Sequence, residues 1–392
     1  MNGAVKGGTF DRVVIQGSDL VDAGGNTTVF LANVDRLQNP ALRSVVPVPA
    51  ENFLTKTAAL LEFYVPSNVD RQVSSISYSG VAGTGPLRVE NANGSGASPA
   101  PLNVFRTEFN VFVTQNIPVS QQIYRQLRYI GPSTFRGYEF FYEGAYFNNP
   151  RSVRGAQQAM REWRKTTTVN LGDNITNDQP ITFNDNTCNI AFLTPTSSSP
   201  NMQTLVTGAL CTDNTVNGQF VYILSIDILV HPNRPWHYEI DQPVPSNKLD
   251  FYSAILHEMG HASGLTHIDD ASKVMHPVTP APGTFRCTLN PEPEINGVAN
   301  FFTRSQQQYT CQIQTYPALM RPLTVFAEQI GGQVALSDTL AFYDPCPNAT
   351  TSLSFMASGT ATYTWGSKTR FNGTYPHTSN VTTSVPLGGV YS

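Results

Sequence analysis

The segment LDFYSAILHEMGHASGLTHIDDASKVMHP, residues 249–277, constrains this chain more than any other feature. Three of the seven histidines crowd into its middle. The flanking residues favour a helix, and on a helix His257 and His261, four apart, project from one face a turn from each other. Capture of one metal ion by two imidazoles needs that spacing. Gly264 follows where a helix commonly ends in a left-handed residue that glycine adopts without strain. The chain can then turn back, and His267 can supply a third nitrogen from the other side. A fourth tetrahedral position stays open, which is the layout of a catalytic zinc site and not a closed structural one. Glu258 points about a third of a turn away from the metal face, so it suits a general base better than a ligand. A bare H-E-x-x-H string arises by chance in a chain this long at roughly the per cent level, and the fixed offsets of Gly264 and His267 lower that by about several hundred-fold.

The string His257-Glu258-x-x-His261-x-x-Gly264-x-x-His267, followed by Met275, is similar to that of the metzincin peptidases, and VMHP resembles the Met-turn of matrixins. Upstream, SIDILVHPNRPWHYE resembles the matrixin strand and loop before the active-site helix, and SVRGAQQAMREWRK resembles the first helix. The resemblance runs from about Phe135 to Asp338. It implies an α+β domain with a twisted mixed sheet and an active-site helix, a catalytic zinc, a protein or peptide substrate, and calcium as a structural ion. It implies that Met275 floors the zinc site and that Pro277 replaces the tyrosine ligand of some relatives. Three departures stand out: no P-R-C-G cysteine switch is present, Ile268 follows the third histidine, and His276 stands where tyrosine is frequent. Thr279, Pro280 and Phe285, just beyond the Met-turn, are candidates for the border of a specificity pocket.

The first quarter reads differently. DRVVIQG, TTVFLANV, ALLEFYVP, PLRVENANG and PLNVF are short apolar stretches separated by Gly, Asn, Pro and Ser, the pattern of an all-β sandwich. VIQGSDL, LEFYVPS and VAGTGPLRVENANGSGASPAPLNV resemble the immunoglobulin-like IPT/TIG module of bacterial surface and secreted proteins, and its pairing with a matrixin-like domain resembles secreted proteins of Bacteroidetes-type bacteria. That implies a spacer or docking role without catalysis. The expected organisation is therefore multidomain: a β-sandwich over 1–107, the peptidase over 108–345, and a β-rich segment over 346–392. In the middle portion, YEFFYEGAYFNNP reads as a strand, Ser152 as the cap of a helix with Val153, Ala156, Met160 and Trp163 on its inner face, and QFVYILSIDILV as a buried strand. Trp365, in the Thr-rich tail, is a candidate glycan platform, with core packing the favoured role.

Charged residues form 13% of the chain and the net charge is -4, with no cluster of Lys and Arg. Nucleic acid and anionic membrane surfaces are therefore not expected partners. No apolar stretch is long enough to span a bilayer, and the opening residues lack the apolar segment of a signal peptide. The five cysteines, Cys188, Cys211, Cys287, Cys311 and Cys346, contain no C-x-x-C pair. Disulfides such as Cys188–Cys211 and Cys287–Cys311 would suit an extracellular setting. Sequons at Asn26, Asn93, Asn174, Asn348, Asn372 and Asn380 carry little information in so Thr- and Asn-rich a chain. A second metal site at His231 and His237 with Glu239 or Asp241, and calcium at Asp227, Asp269 or Asp270, are weaker candidates. The competing reading from another class is a surface adhesion or glycan-binding protein whose metzincin-like domain is silent.

Overall fold

The computed structural model describes residues 4–305 apart from short stretches, of which the longest are 113–123, 130–136, 179–186, 194–200 and 212–219; beyond 305 it describes short strands only. The N-terminal region contains β1 (Ala4–Gly7), β2 (Arg12–Gln16), β3 (Thr28–Asn33), β4 (Val45–Pro47), β5 (Phe53–Lys56), β6 (Leu60–Tyr64), the hairpin β7 (Arg71–Val73) and β8 (Ile76–Tyr78), then β9 (Ala82–Asn91) and β10 (Gly94–Thr107). Alternation decides which face turns inward. In TVFLAN the buried residues include Val29 and Leu31, and in LLEFY they are Leu61 and Phe63. A sheet in the order β1-β10-β9-β3-β4 and a second in the order β2-β6-β5 share one apolar core. Each fully buried Val, Leu or Phe there contributes about 1.5–3 kcal/mol of burial energy. A β-rich N-terminal region was the expectation, and the expected strands fall at these positions. Between β3 and β4 a 3-10 turn, Val34–Leu37, is pinned by the buried Val34, whose N–H donates to the Val81 carbonyl at 3.0 Å.

The chain enters the next region without a free linker. Beyond Thr107 it pairs Glu108 with Leu265 and donates the Phe109 N–H to the Gly264 carbonyl. There follow β11 (Asn110–Phe112), β12 (Tyr124–Arg128), β13 (Tyr138–Tyr142), α1 (Gly144–Phe147), α2 (Pro150–Thr167), β14 (Leu171–Asp178), β15 (Cys188–Phe192), β16 (Met202–Cys211), β17 (Phe220–Val230), the short pair β18 (Trp236–His237) and β19 (Leu249–Asp250), α3 (Phe251–Ala262) and α4 (Asn296–Ser305). The sheet runs β11-β12-β17-β15-β13-β14, and β16 lies antiparallel along β17. β13 and β14 are parallel neighbours, so the chain between them must cross over, and α2 makes that crossing. Six consecutive residues at the end of β17, Ser225 to Val230, are buried, because the strand is covered on both faces; four of them are apolar, and Asp227 accepts the Asn189 amide. Helix α2 buries Ala156, Met160 and Trp163, and the Trp163 indole donates to the Leu256 carbonyl of α3 at 2.9 Å.

Three local expectations are corrected. The strand at YEFFYEGAYFNNP ends at Tyr142, because Glu143 caps a short helix by accepting the N–H groups of Ala145 and Tyr146. Ser152 is not the cap of α2. Asn149 is, its side chain accepting the Ser152 N–H at 3.3 Å, while Pro150 fills the first helical position, where an N–H has no partner to lose. The Cys188–Cys211 disulfide is absent: Cys188 is buried and joined to no other cysteine, and its sulfur accepts the Ile226 N–H. Cys211 pairs with Phe220, at the far end of β17 and on its other side. Six residues of strand, about 20 Å, separate those levels, whereas a disulfide needs Cα atoms within about 7 Å. Cys311, the expected partner of Cys287, lies outside the described residues. In the C-terminal part, strands Ala327–Ile330, Gln333–Leu336, Thr360–Gly366 and Asn380–Pro386 form one sheet, so it joins strands from either side of residue 345.

Candidate active site

Helix α3 begins at a firm cap. The Asp250 carboxylate accepts the Ser253 N–H at 2.8 Å and the Ser253 hydroxyl at 2.5 Å, and the buried hydroxyl in turn accepts the Arg286 N–H. From there the helix runs through His257 and His261 to Ala262, and Gly264 turns the chain with φ +88°. A side chain at Gly264 would be strained and would also meet the Phe301 ring at 2.5 Å. The turn delivers His267 opposite the helix. His257, His261 and His267 then offer ring nitrogens that all lie within 4.8 Å of one another, and no other such group of potential metal-binding side chains occurs among the described residues.

Each ring is fixed from behind. His257 Nδ1 donates to the Val274 carbonyl at 2.7 Å, His261 Nδ1 to the Leu265 carbonyl at 2.8 Å, and His267 Nδ1 to the Asp35 carboxylate at 2.6 Å. With the three Nδ1 protons committed to acceptors, the three Nε2 lone pairs are left for a common ion. Burial pushes the His257 imidazolium well below the usual histidine range and takes His261 down to about 3, so both rings are neutral, as ligation requires. The donor set, three imidazoles that each present Nε2 with room for further ligands, fits zinc.

Met275 is fully buried beneath the helix. A side chain on Gly260 would come within 2.2 Å of its sulfur, so the Met275 thioether packs directly on the bare backbone of Gly260. The turn that carries Met275 is held by Ile268, whose N–H donates to the Met275 carbonyl, and by the buried Glu294, which accepts the Met275 N–H. Glu258 sits one residue past the first histidine with one carboxylate oxygen accepting the Thr204 hydroxyl of β16 at 2.6 Å. Burial raises its carboxyl to about 7. Beside His257 and Glu258 lies a small cleft bordered by Pro277, Thr279, Pro280, Ser253 and Arg286. The Arg286 guanidinium reaches into it and donates to the carbonyls of His276 and Val278.

Residues 137–303 match the matrixin family. The match supports a matrixin-like metzincin domain in that stretch, somewhat less than half of the chain, and with it a zinc metallopeptidase. No curated protein matches the chain.

The other sequence candidates scatter. His231 accepts the Asn233 N–H, the His237 ring contacts the Gln242 carbonyl, and Glu239 pairs with Arg151, so they form no second site; Asp241 lies outside the described residues. Asp227 is buried in the sheet as the acceptor of the Asn189 amide, while Asp270 shapes its own loop by accepting from Ser272. Those two and Asp269 are not brought together. Phe285 packs on the core rather than bordering the cleft with Thr279 and Pro280. Trp365 stands in a strand opposite Val381, and its side chain lies outside what is described. A concavity of about 840 Å³ lies in the N-terminal region between β2 and the β9–β10 hairpin, and Asp19 is the titratable residue in its lining. No helix among the described residues is long and apolar enough to cross a membrane. Sequence reasoning missed Thr204, Glu294, Arg286 and Asp35. Each acts across a distance in the chain that no spacing rule reaches.

Proposed function

We propose that the chain is a secreted zinc endopeptidase, with His257, His261 and His267 as the metal ligands and Glu258 as the general base. The observation that carries this reading is the convergence of three imidazoles, each with Nδ1 already occupied, beside one buried carboxyl group inside the matrixin match. Zinc bound there supplies a Lewis acid that polarises the scissile carbonyl and acidifies water. Glu258 takes the proton of the attacking water and delivers it to the leaving amine. A carboxyl raised to about 7 suits a group that must act as base and then as acid near neutral pH, and the Thr204 hydroxyl orients it. Met275 and Gly260 keep the helix seated, Gly264 returns the chain, and Pro277 borders the cleft.

β16 pairs only with β17 among the described strands, and its Thr204 touches Glu258. An extended peptide that adds to its outer edge would therefore pass over the general base, with backbone hydrogen bonds aligning it. The N-terminal two-sheet region, 1–107, is read as an immunoglobulin-like spacer, the peptidase as starting at 108, and the further β module as starting near Ala327 and not at 346, since its sheet recruits those strands. Export rests on the matrixin match.

The test measures zinc content and casein cleavage for the wild type and for Glu258→Ala, with and without a zinc chelator. One zinc in each protein, with chelator-sensitive cleavage by the wild type alone, is the expected result. Zinc in both with no cleavage of a broad peptide library would return the chain to the adhesion reading.

A further inference from the structure

We propose that Asp35, supplied by the N-terminal region, is a positioning residue for the third histidine of the site, so that the β module is a working part of the metal centre and not a spacer alone. The inference rests on the zinc peptidase reading above. His257 and His261 are each oriented by a backbone carbonyl of their own domain, Val274 and Leu265. His267 is oriented by a carboxylate 232 residues away, at 2.6 Å. A carboxylate is the stronger acceptor, because its charge assists the hydrogen bond, and it makes the imidazole behind which it sits a more basic ligand. Both side chains are mostly shielded, at 15% and 17% exposure, so the pair is not an adventitious surface contact.

Asp35 is itself held in place. It lies in the 3-10 turn that Val34 anchors to the β9 side of the module, and its own N–H donates to the Asn33 side chain at 3.1 Å. The module also grips the backbone on which His267 rides. The Thr107 hydroxyl donates to the His267 carbonyl, the Thr107 carbonyl accepts the Thr266 N–H at 3.0 Å, and the Ser67 and Thr266 hydroxyls meet at 3.2 Å. His267 is thus fixed at its ring and at its carbonyl by residues before position 108. A shift of the module would turn Nε2 of this one ligand away from the other two.

The experiment uses the full chain as wild type, Asp35→Ala and Asp35→Asn. Zinc affinity is measured by competition with a chromophoric chelator, the visible spectrum is recorded after cobalt(II) substitution, and the metal-free proteins are melted. Asp35→Ala is expected to bind zinc about 10- to 100-fold more weakly, the range for loss of a partner behind a ligating histidine, with a changed cobalt spectrum. Asp35→Asn keeps an oxygen acceptor without the charge, and an intermediate loss is expected. At saturating zinc the variants should show reduced kcat with KM for a peptide little changed. A contact that only helped the fold would lower the melting temperature of metal-free Asp35→Ala and leave the cobalt spectrum of the folded protein as in the wild type; that result overturns the proposal, as does zinc affinity equal to wild type. If Asp35→Ala does not fold, Asp35→Asn alone decides by the same readouts. A wild type that takes up no zinc removes the peptidase reading itself, an outcome separate from failure of Asp35.

Discussion

Helix α3 and the loop that follows it carry the two halves of one site, yet they are built by different means. The helical half is local. Its cap is Asp250, its two histidines are a turn apart, and their rings rest on carbonyls of the same domain. The loop half is assembled from far apart, with Gly264 pressed on Phe301 of α4 and His267 held by Asp35 and Thr107. A binding site can therefore combine a segment that dictates its own geometry with one that borrows it, and the borrowed half is where a second domain gains influence over chemistry.

The strongest way to break the local half is His261→Ala. Removing one of the three proposed ligands should abolish both stoichiometric zinc uptake and peptide cleavage, read by metal analysis and by turnover of a quenched peptide. Gly264→Ala strikes the junction between the halves. Its φ of +88° strains any side chain and Phe301 leaves no room, so a destabilisation of about 3 kcal/mol is expected in denaturant melts. A comparable effect, but one that depends on pH, is expected from Glu258. Burial raises its folded pKa from 4.5 to about 7, so metal-free wild type binds the proton more tightly when folded and loses stability as pH rises through that window. Glu258→Gln, neutral throughout, should match wild type at acid pH and exceed it by about 3 kcal/mol above neutrality. Burial of His257 and His261 acts oppositely, lowering stability as pH falls below the ordinary histidine range, and it cancels when variant and wild type are compared. Asp250→Ala removes the cap of α3 and should lose about 1–2 kcal/mol. The smallest effect, about 1 kcal/mol, is expected for Thr107→Val, which deletes one hydrogen bond to the loop half. Should Thr107→Val weaken zinc as much as His261→Ala, the loop would be no less critical than the helix, and the contrast between the halves would fall.

The same division explains what could be read in the chain. Helix α3, its glycine stop and the inner face of α2 were legible because helical spacing and capping are properties of neighbours in sequence. The strands of the N-terminal region were legible for the same reason, through alternation. Asn149 displaced Ser152 as a cap because several polar residues compete near Pro150 and only the backbone path decides among them. The Cys188–Cys211 pairing failed because spacing says nothing about which side of β17 each strand takes. Thr204, Glu294 and Asp35 were illegible: each is an ordinary polar residue whose role is created when a remote segment packs beside it.

Cys188 lends itself to a further use. Its thiol sits in the sheet between β13 and β17 with the sulfur already engaged by the Ile226 N–H, so a thiol-specific reagent can reach it only after those strands part. Its labelling rate, followed on the peptide that contains it, becomes a clock for opening of the sheet beneath α3, and zinc should slow that clock in proportion to how tightly the metal ties helix and loop to the strands below.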